Sequence, residues 1–210
     1  MCEKMCPDNE FVTRKRLGTF SIYETDEETN DFDPHLAVKD YHRSSAGEQL
    51  PTELDLRTES ALKNSILFIL DKVVDSNRGS LDEWYDFIWS RSRAIRKEIA
   101  QQQLFGTELA FNILEVVTRF HIIAQVRLEY IDEAEHYDQK LNSENLSACF
   151  TDLIRMYEKS PSKNLSVNHL NMLFLILFFQ ISQDIPYEFT YKKIYFATKF
   201  SKIGHEFSEK

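Results

Sequence analysis

The residues with the types and spacing for chemistry are few and scattered. Cys2 and Cys6 stand in a C-x-x-x-C spacing. That could begin a thiolate metal site, but zinc takes about four ligands and no second pair lies nearby. The histidines His35, His42, His121, His136, His169 and His205 are spread along the chain. His121 sits in the apolar stretch TRFHIIA, where a core histidine bonded to a neighbour is the simpler reading than a ligand or a base. Asp82, Glu83 and Asp86 resemble paired carboxylates, yet they open a helical stretch, where negative charge offsets the helix dipole. No Gly-rich phosphate loop, H-E-x-x-H or nucleophile elbow occurs. The expectation is a chain with no catalytic residues, no metal and no cofactor.

The densest segment is SLDEWYDFIWSRSRAIRKEIAQQQL, Ser80 to Leu104. Ser80 and Glu83 make an S-x-x-E capping box. Helical spacing gathers Trp84, Ile88, Ile95 and Ile99 into one narrow sector, the expected buried stripe. Tyr85 and Trp89 lie on its shoulder, and Arg93, Arg96 and Lys97 fall roughly opposite. Arg91 falls inside the apolar sector. A buried charge without a partner is costly, so Arg91 needs a carboxylate or helix carbonyls, with Asp71, Asp75 and Glu115 as candidate carboxylates. The Arg93, Arg96, Lys97 face is either solvated and internally paired or a contact for phosphate or an acidic partner. Asp82, Asp86 and Glu98 dilute its charge.

Composition says what must position these groups. The chain has 210 residues, 42% hydrophobic and 13% aromatic, with only 5 Gly and 5 Pro. That balance favours helices over strands and turns. A net charge of −9 gives no general electrostatic footprint for nucleic acid, so such a contact would have to be local. Three cysteines without paired spacing suggest a reducing compartment. The run LNMLFLILFFQI, Leu170 to Ile181, is shorter than the roughly 20 residues a bilayer requires. It reads as a buried helix, and no membrane is expected.

Capping and breaking signals divide the chain further. A helix begins at Asp8, and the acidic stretch Glu24 to Asp33 reads as a mobile surface loop. Asp33-Pro34 predicts an N-cap and first helical position, with a helix running to Gly47. Leu62, Ile66, Ile69, Leu70 and Val73 predict an amphipathic helix from Glu59 to Ser76, and Gly79 supplies a left-handed cap. Thr107 caps the next helix, to about Tyr130, and Asn142 or Ser143 starts another through Leu146, Phe150, Leu153 and Tyr157. Ser166 caps the apolar helix, Pro186 breaks it, and the tail reads as a short helix from Tyr191 or a strand. Six or seven helices on short loops predict an all-α fold of stacked antiparallel helix pairs.

Several blocks, in order, resemble the SAC/GANP family, the scaffold subunits of the TREX-two messenger-RNA export assembly. CEKMCPDNE is similar to its C-x-D-M-C-P opening, with Lys4 in place of the acid. AVKDYHRSSAGEQLPTELDLRT resembles its A-V-K-x-Y-x-R-S-A-A segment and the following L-P-x-x-L-R-P linker. LDEWYDFIWSRSRAIRKEIAQQQL resembles its W-Y-x-F-x-W-x-R-x-R-x-I-R block, TRFHIIA its R-F-H-I, and DQKLNSENLSACFTDLIRMY its N-x-E-N block. The resemblance covers Cys2 to about Tyr157 and fades beyond.

The resemblance implies a PCI/TPR-like helical repeat platform whose winged-helix part is truncated or absent. It implies three parts: an N-terminal motif and acidic loop over 1–34, the helical domain over 35–160, and a divergent helix and tail over 161–210, which would be an incomplete PCI-type module. The signature residues are Met5, Cys6, Pro7, Tyr41, Arg43, Trp84, Tyr85, Trp89, Arg91, Arg93, Ile95, Arg96, Gln102, Gln103, Arg119, Phe120, His121, Asn142, Glu144 and Asn145. Most are expected to build the domain, with Arg119 and Glu144 as structural polar contacts. Arg93, Arg96 and Lys97 are the candidates for partner or nucleic-acid contact. The implied role is a non-enzymatic nuclear scaffold for messenger-RNA export. Its expected partners are a PCI-type export subunit and a small acidic subunit, with no small-molecule substrate. The short animal relatives imply an alternative: centrosome duplication and spindle assembly in dividing cells, with centrosomal or cytoplasmic placement. The basic face of Arg93, Arg96 and Lys97 itself offers a further alternative, direct RNA binding.

Overall fold

Apart from two isolated bridges, every regular element among the described residues is helical, and the fold is all-α. The computed structural model describes residues 1–43, 51–128 and 137–159, together with Met172 and Leu175. Two units emerge, Met1–Leu104 and Phe105–Lys210.

The first unit starts with α1, Asp8–Leu17, which carries acids in its first turn and Arg14, Lys15 and Arg16 in its last. That order suits the helix dipole. Gly18, at φ 67°, ends it in the left-handed conformation. A 3-10 turn follows over Ile22–Glu24, closed by a capping box between Ser21 and Glu24. Helix α2 spans Glu59–Phe68 and widens into a π-turn through Val73. Helix α3 spans Leu81–Gln101, opened by the Ser80–Glu83 box as expected. Trp84 Nε1 donates to the Val74 carbonyl at 3.2 Å, while Gln102 Nε2 donates to the Arg57 carbonyl at 3.0 Å. The start of one helix thus meets the end of the other, so α2 and α3 run antiparallel. Leu62, Ile66, Ile69 and Val73 are buried, as are Trp84, Ile88, Ile95 and Ile99. Burial of each such side chain is worth about 1.5–3 kcal/mol.

The second unit contains α4, Glu108–Leu128, and α5, Gln139–Lys159. Thr107 Oγ1 caps α4 by accepting from the Ala110 amide at 3.2 Å. His121, late in α4, bonds Asn142, early in α5, whereas Phe111, early in α4, stacks on Tyr157, late in α5. This pair is therefore antiparallel as well. By length and composition α4 could cross a bilayer, but 83% of its apolar window is buried within the protein, as in a core helix.

Three expectations change. The helix predicted from Pro34 is a single turn: Asp33 Oδ1 accepts from the His35 amide at 2.8 Å, and Ala37 to Arg43 form no regular element. Its amides find tertiary acceptors instead of helix carbonyls. The Lys39 amide reaches the Met5 carbonyl at 2.9 Å, and the Val38 and Asp40 amides reach the carboxylates of Glu24 and Glu10 at 2.9 and 2.7 Å. The acidic stretch is not a loose loop at its start, because Glu24 is fully buried. Beyond it, Asp26 Oδ1 organises a turn by accepting from the Glu28 and Thr29 amides at 3.0 and 2.9 Å. Helix α5 begins before Asn142, because Asp138 caps it through the Leu141 amide at 2.9 Å. Of the apolar run, Met172 and Leu175 are buried. The rest of that run, the Pro186 break and the tail lie outside the described residues.

Candidate functional site

The strap Ala37–Arg43 bonds to residues of α1 and α3, and two buried carboxylates hold it. The first is Glu24, at 0% exposure. Its Oε1 accepts from Arg14 Nη1 at 3.1 Å and from the Val38 amide at 2.9 Å. Its Oε2 pairs with Arg14 Nη2 and accepts from Arg91 Nη2 at 3.0 Å. The second is Glu98, at 1% exposure. It lies 3.3 Å from Arg57 Nε and 2.8 Å from Lys39 Nζ, and its Oε2 accepts from the Arg57 amide at 2.9 Å. Arg57, fully buried, also donates to Ser65 Oγ at 3.0 Å. Charges this deep persist only when each has a partner, although Arg14 Nε, Arg57 Nη2 and Arg91 Nε are buried without a hydrogen-bond partner.

Arg91 therefore has its carboxylate, but the partners are Glu24 and Asp40, the latter 2.6 Å from Nη1. Asp71, Asp75 and Glu115 are not the partners. Asp40 Oδ1 also accepts from the Ser90 hydroxyl. Burial acts to raise the Asp40 carboxyl, but the Arg91 charge and the Ser90 bond outweigh it and hold the group below its usual value. Glu10 goes the other way: burial raises its carboxyl despite the Asp40 amide and Arg14. Burial also pushes the Cys6 thiol up to about 12, with the nearby Glu10 adding to the effect. Cys6 is thus a protonated core thiol rather than a reactive thiolate.

The strap ends on the basic side of α3. Arg93 lies over the Tyr41 ring at 4.2 Å and the Trp89 ring at 5.0 Å. Lys97 lies 5.6 Å from the Tyr41 ring and donates to the His42 carbonyl at 3.0 Å. Arg93, Arg96 and Lys97 are each half-buried, while His42 and Arg43 are exposed. These four side chains, Tyr41, Trp89, Arg93 and Lys97, form a cationic aromatic shelf.

The other signature positions divide by unit. In the first, the Met5 carbonyl accepts from the Lys39 amide, Cys6 is buried, and Pro7 sits at the N-cap of α1. Trp84, Tyr85 and Ile95 are core, and Gln103 adopts φ 56° after α3. In the second, Phe120 and His121 are buried. His121 Nδ1 bonds Asn142 Oδ1 at 2.8 Å, and Asn142 Nδ2 donates to the His121 carbonyl at 2.9 Å. Buried Arg119 lies 3.8 Å from Glu115, and Asn145 donates to the Leu141 carbonyl at 2.8 Å. Glu144 is exposed on α5. Sequence reasoning missed Arg14, Glu24, Asp40 and Arg57, and it placed Glu98 on the basic face of α3, whereas Glu98 is buried against Arg57 and Lys39. The one local signal was Ser21-x-x-Glu24, a capping-box spacing inside the acidic run.

Residues 5–191 match the model of the SAC3/GANP family. The chain is 35% identical over 162 residues to Protein xmas of Drosophila melanogaster, covering 74% of this chain and 8% of that protein. It is 32% identical over 172 residues to SAC3 family protein B of Arabidopsis thaliana, covering 80% of this chain and 10% of the relative. With SAC3 family protein 1 of Schizosaccharomyces pombe the identity is 31% over 122 residues, 58% of this chain and 12% of the other. The chain therefore spans about a tenth of the length of these relatives. The match runs through the strap, the shelf and the α4–α5 pair, and the chain belongs to the SAC3/GANP family.

Proposed function

We propose that this chain is a non-enzymatic protein-interaction platform that acts in nuclear messenger-RNA export, in contact with a PCI-type export subunit and a small acidic subunit. The observation that carries the reading is the family match over residues 5–191. The geometry supports it. The buried charges Arg14, Glu24, Arg57, Arg91 and Glu98 serve one another, which suits a rigid support more than a reacting centre. The distinctive accessible chemistry is a cationic aromatic shelf, a contact surface.

The test is affinity purification of the tagged chain from dividing cells with mass spectrometry of the co-purifying proteins. PCI-type export subunits and a small acidic subunit are the expected recovery. Centrosomal or spindle proteins without export subunits would overturn the export reading and place the platform in cell division.

A further inference from the structure

Four arginines of the first unit are held by carboxylates. Arg14, Arg57, Arg78 and Arg91 each have a carboxylate oxygen within 4.0 Å. Arg93 differs: among the described residues its contacts are the rings of Tyr41 and Trp89, with no ion pair or hydrogen bond. Attraction to a ring face steadies the guanidinium without using its N–H donors as hydrogen bonds. The result is a cation already ordered in place, with its planar fork uncommitted. Such preorganisation lowers the entropic cost of capturing an oxyanion. Lys97 stands one turn further along α3 beside the same Tyr41 ring.

We infer that the Tyr41–Trp89–Arg93–Lys97 shelf docks an extended acidic peptide segment of a partner protein, with two of its carboxylates meeting Arg93 and Lys97. This rests on the platform reading above. The spacing fits: four residues of helix advance about 6 Å, and same-side residues of an extended peptide repeat at about 6.6 Å. Charge selects the class of partner. The chain carries −9 overall, with Asp40 beside Arg91 and Asp86 further up α3. A long polyanion such as RNA meets that repelling background along its length, whereas a short acidic segment spans only the shelf.

The experiment uses the whole purified chain and two fluorescein-labelled probes, a decapeptide of alternating Glu and Ser and a ten-nucleotide oligouridylate. Fluorescence anisotropy should show binding of the peptide at low salt. Arg93→Gln with Lys97→Gln should weaken it by about tenfold. Lys15→Gln with Arg16→Gln, on the exposed side of α1, should leave it unchanged. Circular dichroism verifies that each variant is folded. Should the double variant fail to fold, Arg93→Lys keeps the charge and removes the fork, and a clear loss of peptide affinity is again expected. Unchanged peptide affinity in the shelf variants overturns the inference. So does tighter binding of the oligouridylate that the same variants abolish, which would make the shelf an RNA contact. Either result leaves recovery of export subunits by the unaltered chain as a separate measurement, so the platform reading stands or falls apart from this one.

Discussion

Arg91 Nη2 lies 3.0 Å from Glu24 Oε2, joining the middle of α3 to the 3-10 turn after α1. Neither side chain has appreciable exposure, and Arg14 shares the same carboxylate. Glu24→Gln keeps the shape and removes the charge that both guanidinium groups face. The expected loss is about 3–5 kcal/mol, read as a lowered midpoint in urea denaturation. A loss below about 1 kcal/mol would mean that the pair adds little to stability.

The acid side of the stability curve should carry two opposite contributions. Asp40 is held below its ordinary value by Arg91 and Ser90 against burial. Its contribution is therefore present above the unfolded value, about 3.9, and lost as pH falls through its lower folded value. Glu10 is raised by burial. Its contribution is present below about pH 4.3 and lost as pH rises through its raised folded value. Thermal midpoints against pH should show Asp40→Asn flattening the fall below about pH 4, and Glu10→Gln flattening the decline above it. Identical profiles for the two variants would contradict this assignment.

Two glycines offer a matched comparison. Gly18 and Gly79 both have positive φ, 67° and 75°. A Cβ at Gly18 meets nothing within 4 Å, whereas one at Gly79 would lie 2.9 Å from Glu83 Oε2 and 3.3 Å from Ile22 and Tyr23. Gly18→Ala should cost about 1–2 kcal/mol from the backbone alone. Gly79→Ala should cost more, because the Glu83 carboxylate it displaces closes the α3 capping box by accepting from the Ser80 amide at 2.8 Å. Equal losses in chemical denaturation would show that the capping box yields freely.

Tyr157 gives an alkaline counterpart in the second unit. Burial first, and then Glu115, which accepts its hydroxyl at 3.0 Å, raise the phenol well above its ordinary value. The folded chain holds it protonated, so its contribution is complete below about pH 10 and lost as pH rises beyond that. Tyr157→Phe should flatten the alkaline limb of thermal stability while leaving the acid limb unchanged. An unaltered alkaline limb would place the sensitivity elsewhere.

Much of the architecture was legible because its signals are local. The Ser80–Glu83 box, the Thr107 cap and the buried stripe of α3 all act within a few residues or one helical face. The strap was not. Asp33-Pro34 is a sound helix start, and one turn does form there, but the amides that would have continued it bond to Met5, Glu10 and Glu24. Local propensity is a weak preference per residue, and a buried amide with a charged acceptor overrides it.

The site divides in the same way. That Arg91 required a polar partner followed from its place in an apolar sector. Which carboxylate it takes was decided by the tertiary fold, since Glu24 is 67 residues away in the chain. Periodicity also placed Arg93 and Lys97 on one side of α3. The rings over which they sit depend on the strap delivering Tyr41 to that helix. By itself the sequence determined an all-α chain, the starts of α1 to α4 and the family to which it belongs. Only the tertiary structure decided which charges are spent inside and that Arg93 is held against two rings with its fork unused. The physical reason is range: caps and helical faces are read over a few residues, whereas ion pairs and ring contacts form between segments that the folded backbone alone brings together.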